Sequence, residues 1–73
     1  MANASHPILK RLGNRVRELR KAKGWSQEEF ADICKIDRSY MSGIERGVRD
    51  TSVLNLAKLA RGLGISLPDL FTN

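Results

Sequence analysis

A short segment near the middle of the chain carries the side chains best suited to recognise a polyanion. Two arginines and three hydroxyls fall within nine residues: Arg38, Ser39, Tyr40, Ser42 and Arg46. Guanidinium groups bind phosphates and the acceptor edge of guanine, and hydroxyls can donate to bases or phosphates. The sequence offers no set of nucleophile, base and orienting residue, no paired carboxylates in a pocket and no phosphate-binding loop. The segment therefore predicts binding and not catalysis.

A first short helix is predicted just before this segment. Ser26 and Glu29 have the spacing of a capping box, in which each side chain accepts a hydrogen bond from the backbone amide of the other residue. Phe30 and Ile33 then form one apolar stripe. Ala31 is small enough for a second helix to pack closely against the first.

The second helix carries the polar segment itself. Asp37 is expected to cap its N-terminus, Met41 and Ile44 recur on one apolar face, and Gly47 can supply the left-handed position that ends it. Two short helices in this order, the second one basic and rich in hydroxyls, form the layout of a helix-turn-helix. That layout predicts double-stranded DNA as the partner.

The rest of the chain is also helical in pattern, so we expect an all-α fold of five helices. Pro7 and Gly24 delimit a first helix with a buried apolar face. Thr51 or Ser52 can cap a fourth helix, which Gly64 ends. A short fifth helix closes the chain, and the helix-turn-helix is formed by the second and third helices.

Length and charge set the wider limits. The 73 residues, 41% of them hydrophobic, suffice for one small core, so we expect a single domain over residues 1–73 with residues 1–6 flexible. The 13 lysines and arginines against 8 acids give a formal charge of +5, which favours a polyanionic partner.

Several classes of protein are not expected. No apolar run approaches the ~18 to 20 residues of a membrane span, and no signal peptide is present, so we expect a cytoplasmic protein without membrane contact. The lone Cys34 cannot form an internal disulfide and is expected to be a buried, inert thiol. We expect no metal, no cofactor and no small-molecule ligand.

From about Leu9 to Phe71 the chain resembles the phage repressor and Cro-type (XRE) family of helix-turn-helix regulators. The resemblance rests on S-Q-E-E-F-A at 26–31, G-I-E-R-G at 43–47 and L-x-x-L-A-R-G-L-G-I at 56–65. Within that family, residues 37–50 most resemble the controller proteins of restriction-modification systems. The resemblance implies a bacterial or phage-encoded homodimeric transcription regulator that binds a palindromic operator and controls a neighbouring operon, as repressor or activator.

The resemblance also implies roles in DNA recognition. Base contacts are expected from Arg38, Ser39, Tyr40 and Ser42. Phosphate contacts are expected from Gln27, Arg46 and Arg49. Arg38 is the first expected base reader, whereas packing of Tyr40 on the second helix stays open as an alternative. Gly43 stands where some relatives place a polar residue, so the reading face is expected to lose one contact there.

Protein contacts are implied in the same way. Arg20 is expected to form a structural ion pair with Glu45, which would join the first helix to the third. Glu28 and Asp32, four residues apart on the second helix, match acidic positions that contact RNA polymerase. The expected dimer interface consists of Ile65, Leu67, Leu70 and Phe71.

An alternative function is a protein-interaction module, such as an antitoxin whose DNA binding is secondary. The basic first helix is similarly open to two interpretations, a phosphate-binding face or a solvated one. Enrichment of a palindromic consensus from random duplexes would favour the regulator, and no enrichment would favour the protein-partner alternative.

Overall fold

Four α-helices and one 3₁₀ turn form the architecture of the computed structural model, which describes residues 6–72. The helices are α1 (Pro7–Ala22), α2 (Gln27–Cys34), α3 (Arg38–Arg46) and α4 (Val53–Leu63), followed by the 3₁₀ turn Pro68–Phe71. Residues 6–72 contain no strand, which confirms the all-α class. The expected flexibility of residues 1–5 lies outside the described residues. His6 is the N-cap of α1, and its carbonyl accepts a hydrogen bond from the amide of Leu9 at 2.9 Å.

The fifth helix expected from the sequence is instead a single 3₁₀ turn. The amide of Leu70 bonds to the carbonyl of Leu67 at 3.1 Å, and that of Thr72 bonds to the carbonyl of Asp69 at 3.2 Å, each three residues back. Thr72 then adopts an extended backbone, with φ −93° and ψ 134°. The turn ends there, before an α-helix can form.

The starts of α2 and α3 confirm the predicted caps. The Ser26 hydroxyl accepts from the amide of Glu29 at 3.0 Å, and the Glu29 carboxylate accepts from the amide of Ser26 at 2.8 Å. The Asp37 carboxylate accepts from the amides of Ser39 and Tyr40 at 3.0 and 3.3 Å. These bonds satisfy backbone donors that have no partner within a helix, and so set the register of both helices.

The N-terminus of α4 is capped by Ser52 and not by Thr51, because the Ser52 hydroxyl accepts from the amide of Asn55 at 3.1 Å. Gly64 ends the helix with a left-handed φ of 74°, as its sequence position predicts. Helix ends thus agree with local signals along most of the chain.

The core lies where α1, α2, α3, α4 and the 3₁₀ turn meet. Its buried hydrophobic members are Leu12, Val16, Phe30, Ala31, Cys34, Ile36, Met41, Ile44, Leu59, Leu63 and Leu70. The ring of Trp25 stacks on that of Phe30 with 5.7 Å between centroids. Trp25 precedes the cap of α2 and Phe30 lies in its first turn, so this pair is a hydrophobic staple.

Two apolar residues are placed differently from the sequence-based expectation. Ile33 is 43% exposed, because the buried face of α2 runs through Phe30, Ala31 and Cys34 and turns Ile33 outward. Leu70 has no exposed surface, since the 3₁₀ turn folds its side chain into the core beside α1. Leu70, which was expected in the dimer interface, therefore has no exposed surface of its own to offer a partner.

Gly62 lies inside α4, where glycine costs about 1 kcal/mol relative to alanine. A Cβ at this position would lie 2.6 Å from the Sγ of Cys34. The glycine therefore allows α4 to approach α2. The thiol of Cys34 is buried as expected, and this burial raises its pKa to about 11.

Among residues 6–72, no helix has both the length and the apolar character needed to cross a membrane.

Candidate nucleic-acid interface

Helix α3 is held against α1 by direct approach of the two backbones. A Cβ at Gly13 would lie 2.5 Å from the carbonyl oxygen of Ile44 and 2.6 Å from that of Glu45. At the other end of the contact, a Cβ at Gly47 would lie 2.8 Å from the Cα of Lys10. Only glycine permits these distances, so the axis of α3 is fixed relative to α1 at two points.

A buried ionic network holds the same helix through side chains. Glu45 on α3 is 3% exposed. Arg20 on α1 binds it with both arms, Nε to Oε2 at 2.8 Å and Nη2 to Oε1 at 3.0 Å. The third nitrogen, Nη1, donates to the carbonyl of Trp25 at 2.9 Å. The structure thus brings Arg20 and Glu45 together, and the guanidinium of α1 neutralises the carboxylate of α3.

Gln27, the first residue of α2, joins this network. Its Nε2 donates to Oε1 of Glu45 at 3.1 Å, so α2 is tied to α3 at the same carboxylate. The hydrogen bond with Glu45 raises the pKa of Arg20 above its ordinary value, although burial opposes that rise. The guanidinium therefore stays charged, and α1, α2 and α3 meet at one compensated acid.

The outer face of α3 carries a stripe of polar side chains. Arg38 and Arg46 are exposed at the two ends of the helix, and Ser42 is half-buried between them. Their spacing of four residues places all three on one side of the helix. At a rise of 1.5 Å per residue, the stripe extends over roughly 12 Å. Cations and a hydroxyl are thereby presented along one rigid edge.

Ser39 lies beside this stripe, but its hydroxyl is already engaged. Its Oγ donates a short hydrogen bond to Oδ2 of Asp37, in addition to the amide bond of the cap. Together with the amide of Tyr40, this bond lowers the pKa of Asp37 below its ordinary value. The Ser39 oxygen can still accept a hydrogen bond from an outside donor, such as the amino group of a base.

Tyr40, Gly43 and Arg49 form an assembly that the sequence did not reveal. The Tyr40 hydroxyl donates to the carbonyl of Asp50 at 2.8 Å, which ties the ring to the loop after α3, and the half-buried ring also packs against the hydrophobic core. The guanidinium carbon of Arg49 lies 5.2 Å from the centre of that ring. The aliphatic part of Arg49 crosses Gly43, where an added Cβ would collide with its Cγ.

Gly43 therefore leaves room for a neighbouring side chain. Gly43 adds no side chain to the outer face of α3. The aliphatic stem of Arg49, which comes from the following loop, occupies the space beside it. A glycine in the middle of a short helix costs about 1 kcal/mol relative to alanine, and this cost is the signal that could have indicated a packing role.

The remaining candidate residues lie apart from this face. Glu28 and Asp32 are both exposed on α2, one helical turn apart. Near the C-terminus, Ile65 and Leu67 are half-buried and Phe71 is 38% exposed.

Two large apolar side chains of α4 lie at the surface. Val53 and Leu54, in the first turn of α4, are 72% and 65% exposed. The inward face of α4 is supplied by Leu59, Ala60 and Leu63, which leaves the first turn uncovered within one chain.

The geometry fits recognition of duplex DNA. The major groove is about 12 Å wide and admits an α-helix, whose side chains then reach base edges. A helix-turn-helix family model matches residues 16–70. The chain belongs to this helix-turn-helix family.

Similar proteins are regulators of the same kind. Control protein C.MunI of Mycoplasma sp is 48% identical over 64 residues, which cover 86% of this chain and 86% of the relative. The crystal structure of the restriction-modification controller protein C.AhdI from Aeromonas hydrophila is 48% identical, has a TM-score of 0.87, and aligns over 90% of this chain and all of that one. The regulator SinR, crystallised with DNA, has a TM-score of 0.77 and 35% identity over 81% of this chain and 95% of its own.

These similarities confirm the resemblance to XRE-type regulators and controller proteins that was inferred from the motifs. This helix-turn-helix protein is a DNA-binding regulator of transcription, and its family is one of regulators and not of enzymes.

Proposed function

We propose that this protein is a cytoplasmic homodimer that binds a palindromic operator and controls a neighbouring operon through its own concentration. The observation that carries the proposal is the polar stripe on the outer face of α3, with Arg38 and Arg46 exposed and Ser42 half-buried between them. The Arg20–Glu45 ion pair holds this helix against α1. The similarity to controller proteins supports the regulatory part. Bacterial and phage operators lie in the cytoplasm, which accounts for the location.

In the proposed complex, α3 lies in the major groove. Arg38 donates two hydrogen bonds to a guanine, and the other base contacts come from Ser39, Tyr40 and Ser42. Arg46 and Arg49 bind phosphates beyond the C-terminal end of α3. A side-chain amide has two N–H donors, so Gln27 can hold Glu45 with one and a phosphate with the other.

The proposed dimer is two-fold symmetric and pairs the C-terminal ends of the two chains. Ile65, Leu67 and Phe71 supply the contact surface, and the buried Leu70 supports them from beneath. A two-fold axis there would present both α3 helices to half-sites about one helical turn apart. A monomer makes few phosphate contacts, so pairing would supply much of the affinity.

Selection from random duplexes at about 150 mM salt tests the operator proposal, since non-specific binding is weak there. We expect a palindromic consensus. Arg38→Ala should relax one position in each half-site, with a loss of about 1 to 3 kcal/mol of discrimination. Arg46→Ala should weaken all duplexes alike and reduce the salt dependence by about one phosphate contact.

Arg61→Ala serves as the matched control, because it removes an exposed arginine from α4 and should leave the consensus and the affinity unchanged. Recovery of the full wild-type consensus by Arg38→Ala would show that the base reader has been assigned wrongly. Absence of any enrichment with the wild-type protein would contradict sequence-specific binding altogether.

We also propose that Glu28 and Asp32 contact RNA polymerase when the protein is bound upstream of a promoter. Both carboxylates are exposed on α2. Transcription in vitro should lose activation with Glu28→Gln or Asp32→Asn while operator binding is retained, and Glu18→Gln on α1 is the control. A fall in activation that only follows a fall in binding would overturn this assignment.

A further inference from the structure

A groove lies between the C-terminal end of α2 and the outer side of α4. It has a volume of about 460 Å³. Its lining residues are Ile33, Cys34, Lys35, Lys58, Arg61 and Gly62. Neither the polar stripe of α3 nor the surface proposed for the dimer includes any of these six residues. We refer to this site as the basic groove.

The floor of the basic groove is apolar. Ile33 is 43% exposed, although the rest of the apolar face of α2 is buried. Gly62 has no side chain and packs closely against Cys34, since a Cβ at this position would lie 2.6 Å from the Sγ of Cys34. A branched aliphatic side chain is therefore left at the surface next to a recess between two helices.

The rim of the basic groove is cationic. Lys35 and Arg61 are exposed and Lys58 is half-buried. Helix α4 contains no acid in Val53–Leu63. Across residues 6–72 the only ion pair within 4.0 Å is that of Arg20 with Glu45, so none of the three cations is paired with a carboxylate.

The apolar floor and the cationic rim together favour one kind of ligand. A duplex backbone would match the cations but would leave the exposed isoleucine in contact with phosphates. A peptide that alternates acidic and apolar residues matches both features, since its carboxylates can pair with the rim while an apolar side chain covers the floor.

We propose that the basic groove binds an acidic peptide segment of a partner protein. An apolar side chain of that segment lies over Ile33 and Gly62, and its carboxylates pair with Lys35, Lys58 and Arg61. Exposed ion pairs contribute little each and are screened by salt, so the complex is weak, salt-sensitive and reversible.

The basic groove and the DNA-binding face can be occupied together. Gln27, which belongs to the proposed phosphate contacts, begins α2, whereas Lys35 follows its last residue. About 12 Å of helix separates them, at 1.5 Å per residue. Peptide binding is therefore expected to leave DNA binding intact, so that a partner could be carried to the operator.

The test measures fluorescence anisotropy of a labelled 12-residue peptide of alternating Asp and Leu against the full chain, with and without a saturating unlabelled duplex. Two matched peptides, with Ser in place of Leu or Asn in place of Asp, report the apolar and ionic parts. We expect the parent peptide to bind at least tenfold more tightly than either, and equally well with duplex present.

Substitutions in the protein test whether the peptide binds in the basic groove. Lys58→Glu/Arg61→Glu should weaken peptide binding at least tenfold, and Ile33→Ser several-fold. The matched control is Arg17→Glu/Lys21→Glu, which makes the same charge change on exposed positions of α1 and should alter peptide binding less than twofold. Far-UV circular dichroism verifies that each variant is folded.

Three results would each overturn the proposal. Displacement of the peptide by duplex would place it on the DNA-binding face. An equal loss with the α1 control would mean that net charge alone attracts it. If Lys58→Glu/Arg61→Glu instead lowers the association state of the protein in sedimentation, the groove is occupied by a second copy of the chain.

Discussion

Removal of Arg20 should destabilise the fold more than removal of any exposed arginine. Its side chain is 11% exposed and that of Glu45 is 2% exposed. Arg20→Met breaks the two hydrogen bonds to Glu45 and the one to the carbonyl of Trp25. The Glu45 carboxylate then stays buried with only the side-chain amide of Gln27 as a hydrogen-bond partner.

The magnitude follows from this burial. An exposed ion pair contributes about 0 to 1 kcal/mol, whereas breaking a buried pair by removing one partner costs about 3 to 5 kcal/mol. Total stabilities of small domains are about 5 to 15 kcal/mol. The Arg20→Met protein should therefore lie close to the unfolding threshold at room temperature.

Urea unfolding at pH 7, followed by circular dichroism, measures the change in the free energy of unfolding. Arg17→Met, an exposed position on the same helix, is the control and should change stability by no more than about 0.5 kcal/mol. The double variant Arg20→Met/Glu45→Leu removes both charges. It should recover most of the loss, because the uncompensated acid is gone.

Two results would refute the reasoning. A loss below about 1 kcal/mol for Arg20→Met would mean that the pair behaves as a surface ion pair. A double variant as unstable as the single one would mean that the destabilisation arises from lost packing of the Arg20 stem and not from the buried carboxylate.

Three other predictions concern the α2–α4 contact and the cap of α3. Gly62→Ala should destabilise the fold by about 1 to 3 kcal/mol in thermal unfolding through overpacking against Cys34; the double variant Gly62→Ala/Cys34→Ala should recover part of the loss, and equal loss would contradict this cause. Because burial raises the pKa of the Cys34 thiol to about 11, Ellman's reagent at pH 8 should react far more slowly with native than with urea-unfolded protein, and equal rates would show an accessible thiol. The hydrogen bond from Ser39 lowers the pKa of Asp37 below 3.8, so its contribution to stability should be present above pH 3.8 and be lost as the pH falls through the folded value; Asp37→Asn should remove this part of the acid dependence, and an unchanged profile would refute it.

The helix-turn-helix and its ends could be predicted from sequence because their determinants are local. A capping box joins residues three apart, as in Ser26 and Glu29, and Asp37 accepts from amides two and three residues ahead. Such bonds depend on a few neighbouring torsions and little on the rest of the fold. Their residue types are therefore readable in the sequence.

The errors concern residues whose environment is set by distant parts of the chain. Leu70 is buried because the 3₁₀ turn packs on α1, where Arg15 donates to the carbonyl of Asp69 at 3.0 Å. That bond joins residues 54 apart in sequence. Ile33 was expected to share one apolar stripe with Phe30, because apolar periodicity on an eight-residue helix fits more than one face. Only the position of α4 decides between those faces.

The candidate site was also predictable from sequence only in part. The polar residue types of α3 were evident from sequence, but the arrangement of Tyr40, Gly43 and Arg49 was not. Periodicity does not show that the stem of an arginine from the next loop crosses a glycine on the helix. The basic groove was likewise missed, because its cations come from α4 and from the end of α2, 23 residues or more apart along the chain.

The glycine contacts between α1 and α3 have a consequence for how this regulator can diverge. Gly13 lies against the main chain of Ile44 and Glu45, and Gly47 lies against Lys10, so neither of these close contacts uses the side chain of Arg38 or Ser42. Exchange of Arg38 or Ser42 should therefore change which bases are preferred without moving the helix. One or two substitutions on the outer face of α3 should therefore change the preferred operator while the orientation of the helix stays the same. A side chain at Gly13 would instead change that orientation, and with it the binding to every operator.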